Sequence, residues 1–158
     1  MPTPHERLRE LNIVLPSAPP PAASYVPFRL VPIGEGRAFL YIAGQVPVQD
    51  GKRLTGRCPD EVSIEQAQVA ARLCALNLLA QMEAAAGLDN VEQVTQLFAL
   101  VLSADGFGDQ PKVINAASDL IVDVLGEAGK HSRAAVGTNA LPFSVTVEIA
   151  AVAVVRTR

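Results

Sequence analysis

The last third of the chain places the tightest constraint on its fold. From Ala134 to Val155 the only formally charged residue is Glu148, and the stretch begins beside a guanidinium, Arg133. A run so rich in Val, Ile and Ala is built for burial in strands. A carboxylate inside it needs a partner, because an unpaired buried charge is strongly destabilising. Arg133 and Glu148 are therefore either a structural ion pair across two strands or a site that receives a polar ligand. In the alternation from Ser144, Glu148 shares a face with Thr146, Ala150 and Val152, while Val145, Val147, Ile149 and Ala151 point the other way. Small or apolar side chains on both faces predict that both faces are covered.

Upstream, Ser63-Ile-Glu-Gln66 is a capping box with Val62 placed to staple against Ala67, and no Gly or Pro follows until Gly87. The spacing predicts a helix from Ser63 to Ala86, roughly 35 Å long at about 1.5 Å per residue. Val69, Leu73, Leu76, Leu79 and Met82 form its obvious core stripe, yet most other positions are small or apolar as well. Such a helix is covered on more than one side. Tyr25 to Ile33 and Arg37 to Ile42 read as two antiparallel strands joined at Gly34-Glu35-Gly36. Gly44-Gln45-Val46-Pro47 ends the second, and Gln49 to Asp60 reads as a polar loop. Val91 to Ser103 is a third strand, and Asp109-Gln-Pro111 opens a second helix that runs to Gly126, with Asp109 as its cap. His131 to Ala140 and Ser144 to Val155 add two strands joined at Leu141-Pro142. The order ββ, α, β, α, ββ is α+β, with two helices packed on one face of a single sheet. Residues 1–158 form one domain, of which 1–22 are an N-terminal arm. The arm begins with a brief helix around Leu8 and Leu11 and continues as the extended, proline-rich LPSAPPPAASY.

Composition narrows the function. With 13 Lys and Arg against 16 Asp and Glu, and no basic block, the chain lacks the charge that phosphate-backbone binding needs, so no nucleic acid is expected. Cys58 and Cys74, with only His5 and His131 to join them, make no metal-ligand set and are expected as free thiols. Cys74, inside the apolar helix, reads as inert core. The apolar runs are strand-like and the N-terminus lacks a signal core, so no membrane association and a cytoplasmic location are expected. His131 reads as a solvent-facing loop residue. An arginine at the start of a strand is more often an exposed or interface residue than a clamp.

The segment from Arg133 through Leu141-Pro142 to Val147-Glu148-Ile149 resembles the C-terminal signature of the YjgF/RidA family, also called endoribonuclease L-PSP. Ala43-Gly44-Gln45-Val46-Pro47 is similar to the family's Ser-Gly-Gln turn, and Val62 to Leu79 to the long helix that follows it. The resemblance covers roughly residues 23 to 156. It implies a chorismate-mutase-like α+β fold assembled as a homotrimer, with clefts between subunits. It also implies hydrolysis of reactive 2-imino or enamine acids to 2-keto acids and ammonia, without metal or cofactor. Arg133 would then clamp the carboxylate of a small ligand in a bidentate fork, and Glu148 would orient or deprotonate the attacking water. The Gly44-Gln45 turn and Tyr25 would line the cleft, Tyr25 from the adjacent subunit. Ser118 falls where the family often has Asn, and Ala135 where it often has Cys. The alternative of another class is a trimeric module that binds a small carboxylate without turning it over.

Overall fold

The computed structural model describes residues 1–157. One mixed sheet carries the domain, with spatial order β1-β2-β7-β5-β6 and the strands β1 (Phe28–Gly34), β2 (Arg37–Gln45), β5 (Val91–Leu102), β6 (Ser132–Thr138) and β7 (Val147–Arg156). β3 (Val48–Gln49) and β4 (Lys52–Arg53) form a separate two-stranded hairpin. Three α-helices are present among the described residues: α1 (Pro4–Glu10), α2 (Ile64–Ala86) and α3 (Gln110–Leu125). The fold is thus α+β, with α2 and α3 packed together against one sheet face.

Local chemistry explains most boundaries. Ser63 Oγ accepts from the Gln66 amide while the Gln66 side chain accepts from the Ser63 amide, closing the capping box, and Gly87 ends α2 in a positive-φ conformation. Thr3 and Glu6 make the same box at α1. Asp109 departs from expectation: it occupies the cap position of α3, but its side chain accepts no capping bond, and Pro111 in the first turn sets the start instead. The first strand begins at Phe28 rather than Tyr25, because Pro27 supplies no N–H and the Tyr25 amide turns back to Ala23 O at 2.9 Å. β2 runs through Gly44 to Gln45 by way of a bulge between Ile42 and Gln45 against β7.

The hairpin replaces part of the loop expected from Gln49 to Asp60. Its turn, Asp50-Gly51, has φ of 51° and 75°, both left-handed, as a two-residue hairpin turn demands. The last two strands are not neighbours. β5 lies between them, pairing antiparallel with β7 and parallel with β6, and α3 is the crossover that parallel pairing requires.

Burial alternates strictly along β7. Val147, Ile149, Ala151, Ala153 and Val155 are buried beneath the helices, while Glu148, Ala150, Val152 and Val154 are half-exposed. The expectation that both faces are covered therefore fails within one chain: the helices cover one face only. Val31, Tyr41, Phe98 and Val136 stand exposed on the other, beside the half-exposed residues of β7. α2 is apolar on more than one side because it is central, touching β7, β2 and α3, and eleven of its residues are buried. Of the expected stripe only Leu79 and Met82 are among them. Val69 is exposed and Leu73 and Leu76 are half-buried, where the small residues Ala67, Ala70, Ala71 and Cys74 take the core face. α1 sits apart, over α3 and the turn after α2. No helix among the described residues is long and apolar enough to cross a membrane.

Candidate functional site

Glu148 and Arg133 do not meet within the chain. In the register of β5, Glu148 lies opposite Leu100 and Arg133 beside Leu97, three residues apart and hence on opposite sheet faces. The structural ion pair across two strands is thereby excluded for a single chain. Each residue anchors its own cluster.

Glu148 stands in the wall of a cavity of about 920 Å³ at the end of the sheet where β2 bulges away from β7. Tyr25, Gly44 and Gln45 line the same cavity, so Tyr25 reaches the Glu148 pocket from its own chain. Gly44 is there for space: a Cβ added to it would lie 2.7 Å from Glu148 Oε1 and 2.9 Å from its Cδ. No other residue type lets the carboxylate lie flat along this strand. Among the described residues nothing donates a hydrogen bond to Glu148 and no cation pairs with it. Burial pushes its carboxyl pKa upward. An unbonded carboxylate with a raised pKa, facing a cavity, is suited to holding and deprotonating a water.

Sequence reasoning missed most of the remaining wall. The proline-rich arm from Pro16 to Ala23 roofs the cavity, and Asn77, Asp50, Arg53 and Phe143 complete it. The arm is pinned in place: the fully buried Gln81 donates from Nε2 to Pro19 O at 2.8 Å, and the Ala22 amide donates to Tyr25 Oη at 3.1 Å. Asn77, 4% exposed, donates to Val46 O at 2.9 Å and so fixes the chain just after the Gly44-Gln45 turn. One signal was available. Asn77 and Gln81 are four residues apart in the most apolar part of α2, so they share a helix face that had to meet something polar.

Arg133 faces α3. Its Nη1 donates to Ser118 Oγ at 3.0 Å, and its Nη2 donates to Asn115 Oδ1 at 2.8 Å and Pro111 O at 3.2 Å. Three acceptors from one helix hold the guanidinium plane rigidly at the sheet edge. His131, expected in solvent, lies behind it instead, with Nδ1 2.6 Å from Gly129 O and Nε2 2.9 Å from Ser118 Oγ. The tautomer with Nδ1–H donating to that carbonyl leaves Nε2 to accept the Ser118 hydroxyl proton, which turns the Ser118 lone pairs toward Arg133. Ala135, on the same side of β6 as Arg133, packs against the core and offers no polar group. Cys74 is buried, its thiol held far above its usual pKa by burial and then by the Glu148 charge, which agrees with an inert core role. Both cysteines are free, and no group of His, Cys, Asp and Glu among the described residues could hold a metal ion.

Residues 6–153 match the sequence profile of the family described as "YjgF/chorismate mutase-like, putative endoribonuclease". The chain belongs to this YjgF family. It is 42% identical to Protein TCP17 of Trypanosoma cruzi over 145 residues, 90% of this chain and 88% of that one. The solved structure of protein Atu1372 from Agrobacterium tumefaciens is 45% identical, with a TM-score of 0.83 over 94% of this chain and 90% of that one. TdcF of Escherichia coli, solved with bound serine, is 23% identical over 91% of this chain and 98% of that one. Its TM-score of 0.61 shows a shared YjgF fold and no more.

Proposed function

We propose that the protein hydrolyses reactive 2-imino or enamine acids to 2-keto acids and ammonia, with Glu148 as the base. The observation that carries this reading is the Glu148 carboxylate, unbonded, raised in pKa and seated against Gly44 in the wall of the cavity. Glu148 takes a proton from water as the water oxygen bonds to the imine carbon. Glu148 returns that proton to nitrogen, giving a carbinolamine; it then relays the carbinolamine hydroxyl proton to the same nitrogen as the C–N bond breaks, the carbonyl forms and ammonia leaves. Burial, by raising its pKa, makes this carboxylate a stronger base than an exposed one.

The carboxylate clamp in this reading is Arg133 of a neighbouring copy, because within one chain it lies on the opposite face from Glu148. A homotrimer that buries the open sheet face would bring the two together and would remove Val31, Tyr41, Phe98 and Val136 from water. The serine bound to TdcF is an α-amino acid with the carboxylate such a clamp receives. Ammonia release from freshly generated 2-iminopropanoate or 2-iminobutanoate, with product 2-keto acid in equal amount, is the test. Hydrolysis no faster than the uncatalysed rate would reject the reading.

A second reading, a trimer that binds a small carboxylate without turnover, is favoured by the alanines at 43 and 135, which supply no hydroxyl or thiol near the substrate. Ligand binding without ammonia release would select it.

A further inference from the structure

The Glu148 cavity holds a cation of its own. Val48 and Arg53 are cross-strand partners on the β3–β4 hairpin, and both line the cavity. The Arg53 guanidinium lies 3.8 Å above the centroid of the Phe143 ring, close enough for a cation–π contact. Stacking fixes the plane of the guanidinium but leaves its N–H edge unused. Among the described residues no carboxylate pairs with Arg53 and no acceptor takes its protons, although Asp50, at the hairpin tip, lines the same wall.

Phe143 is held where it is at a conformational cost. Phe143 and Ser144 have φ of 58° and 55°, two successive left-handed residues neither of which is Gly. Such backbone is unfavourable for residues with a side chain and persists only where its surroundings impose it. Here the segment that follows the hairpin imposes it: the Gly56 amide donates to Ser144 O at 3.1 Å, the Thr146 amide to Leu54 O at 3.2 Å, and Thr146 Oγ1 to Gly56 O at 2.9 Å. The ring nevertheless remains exposed rather than entering the core. Its strained turn therefore serves the cavity, by carrying the platform on which Arg53 rests.

Size points the same way. At about 920 Å³ the cavity reaches the upper part of the range that drug-sized ligands occupy, far beyond the needs of an imino acid with one or two side-chain carbons. Asn77, nearly fully buried, donates to Val46 O and lines the cavity with a carboxamide oxygen that accepts no hydrogen bond from the described residues.

We infer that Arg53, positioned by Phe143, is a specificity residue for a second carboxylate, so that the preferred ligands are 2-imino and 2-keto dicarboxylic acids of about the length of the glutamate skeleton. This rests on the reading above for the first carboxylate and the reacting carbon, and it adds the far end of the molecule. A bidentate guanidinium–carboxylate pair, half-shielded by the ring, discriminates sharply against a ligand lacking the second acid.

The test is calorimetric titration of the protein with two stable 2-keto acids, 2-oxoglutarate and 2-oxobutanoate. Wild type is expected to bind 2-oxoglutarate at least tenfold more tightly. Arg53→Met, which keeps the unbranched bulk on the Phe143 ring, should lower that affinity ratio at least fivefold, and Arg53→Lys should fall between the two. Equal affinities in wild type, or no binding of 2-oxoglutarate, would overturn the inference. So would an unchanged ratio in Arg53→Met with both affinities reduced, which would make Arg53 a clasp for the Phe143 turn. Selective binding without ammonia release would sink the hydrolase and leave Arg53 its role, whereas ammonia release without selectivity would do the reverse.

Discussion

Glu148 pays for its readiness with stability. Its carboxyl is harder to ionise in the folded chain than in the unfolded one, so the folded state holds a proton over a pH range where the unfolded state has lost it. Stability therefore falls as pH rises from the ordinary glutamate range through the raised folded value. Glu148→Gln, which cannot ionise, should melt at a higher temperature than wild type at neutral pH, and the advantage should vanish in acid below the ordinary glutamate range. The same variant should lose on the order of 10²-fold or more in ammonia release. Gly44→Ala makes a complementary test: the new methyl must displace the Glu148 carboxylate, and a shift of that size should reduce turnover on the order of 10²-fold. Melting curves beside the kinetics would show whether the fold survives. Arg133→Ala should abolish carboxylate binding, read by calorimetry, while the far-ultraviolet circular dichroism stays that of wild type, because the residue lies on an edge strand and its bonds go to one helix.

At the scale of elements, what could be read in advance followed the reach of local chemistry. α2 declared itself through Ser63, Gln66 and Gly87, and β7 through its alternation, because caps and periods are written within a few residues. The β3–β4 hairpin did not, since strands of two residues such as Val48–Gln49 have no period to display. Nor did the parallel pairing of β6 with β5, a choice of partner made across the whole of α3. The candidate site divided in the same way. Glu148, Gly44 and Arg133 stood out as charges or turns in their own segments, whereas Arg53, Phe143 and Asn77 become neighbours only when three separate elements converge on one cavity. α1 shows a further long-range link. His5 Nε2 lies 3.2 Å from Glu83 Oε1 and Nδ1 3.3 Å from Asp89 Oδ1. Burial lowers the imidazole pKa, but the bonds and charges of the two acids outweigh it and the net shift is upward. The clasp is complete below the ordinary histidine pKa and is lost as pH rises through the higher folded value. Hydrogen exchange of the Arg7 to Leu11 amides should accordingly speed up, relative to the chemical rate, as pH rises from the ordinary histidine pKa through the higher folded value, and His5→Ala should remove that pH dependence.

For the molecule as a whole, the one-sided sheet decides how stability must be quoted. A chain that leaves Val31, Tyr41, Phe98 and Val136 uncovered when alone buries them only in company. In the proposed trimer its melting temperature should climb by roughly 2 to 4 °C for each tenfold increase in protein concentration, because unfolding would also separate the subunits. A melting point independent of concentration, or a sedimentation mass of 16.6 kDa at micromolar concentration, would place the folded chain alone. In that assembly dilution would act as a denaturant does. The clamp and the base are the parts it removes first, since they come from different copies in the proposed assembly, and specific activity should fall toward the square of the protein concentration well before any secondary structure is lost.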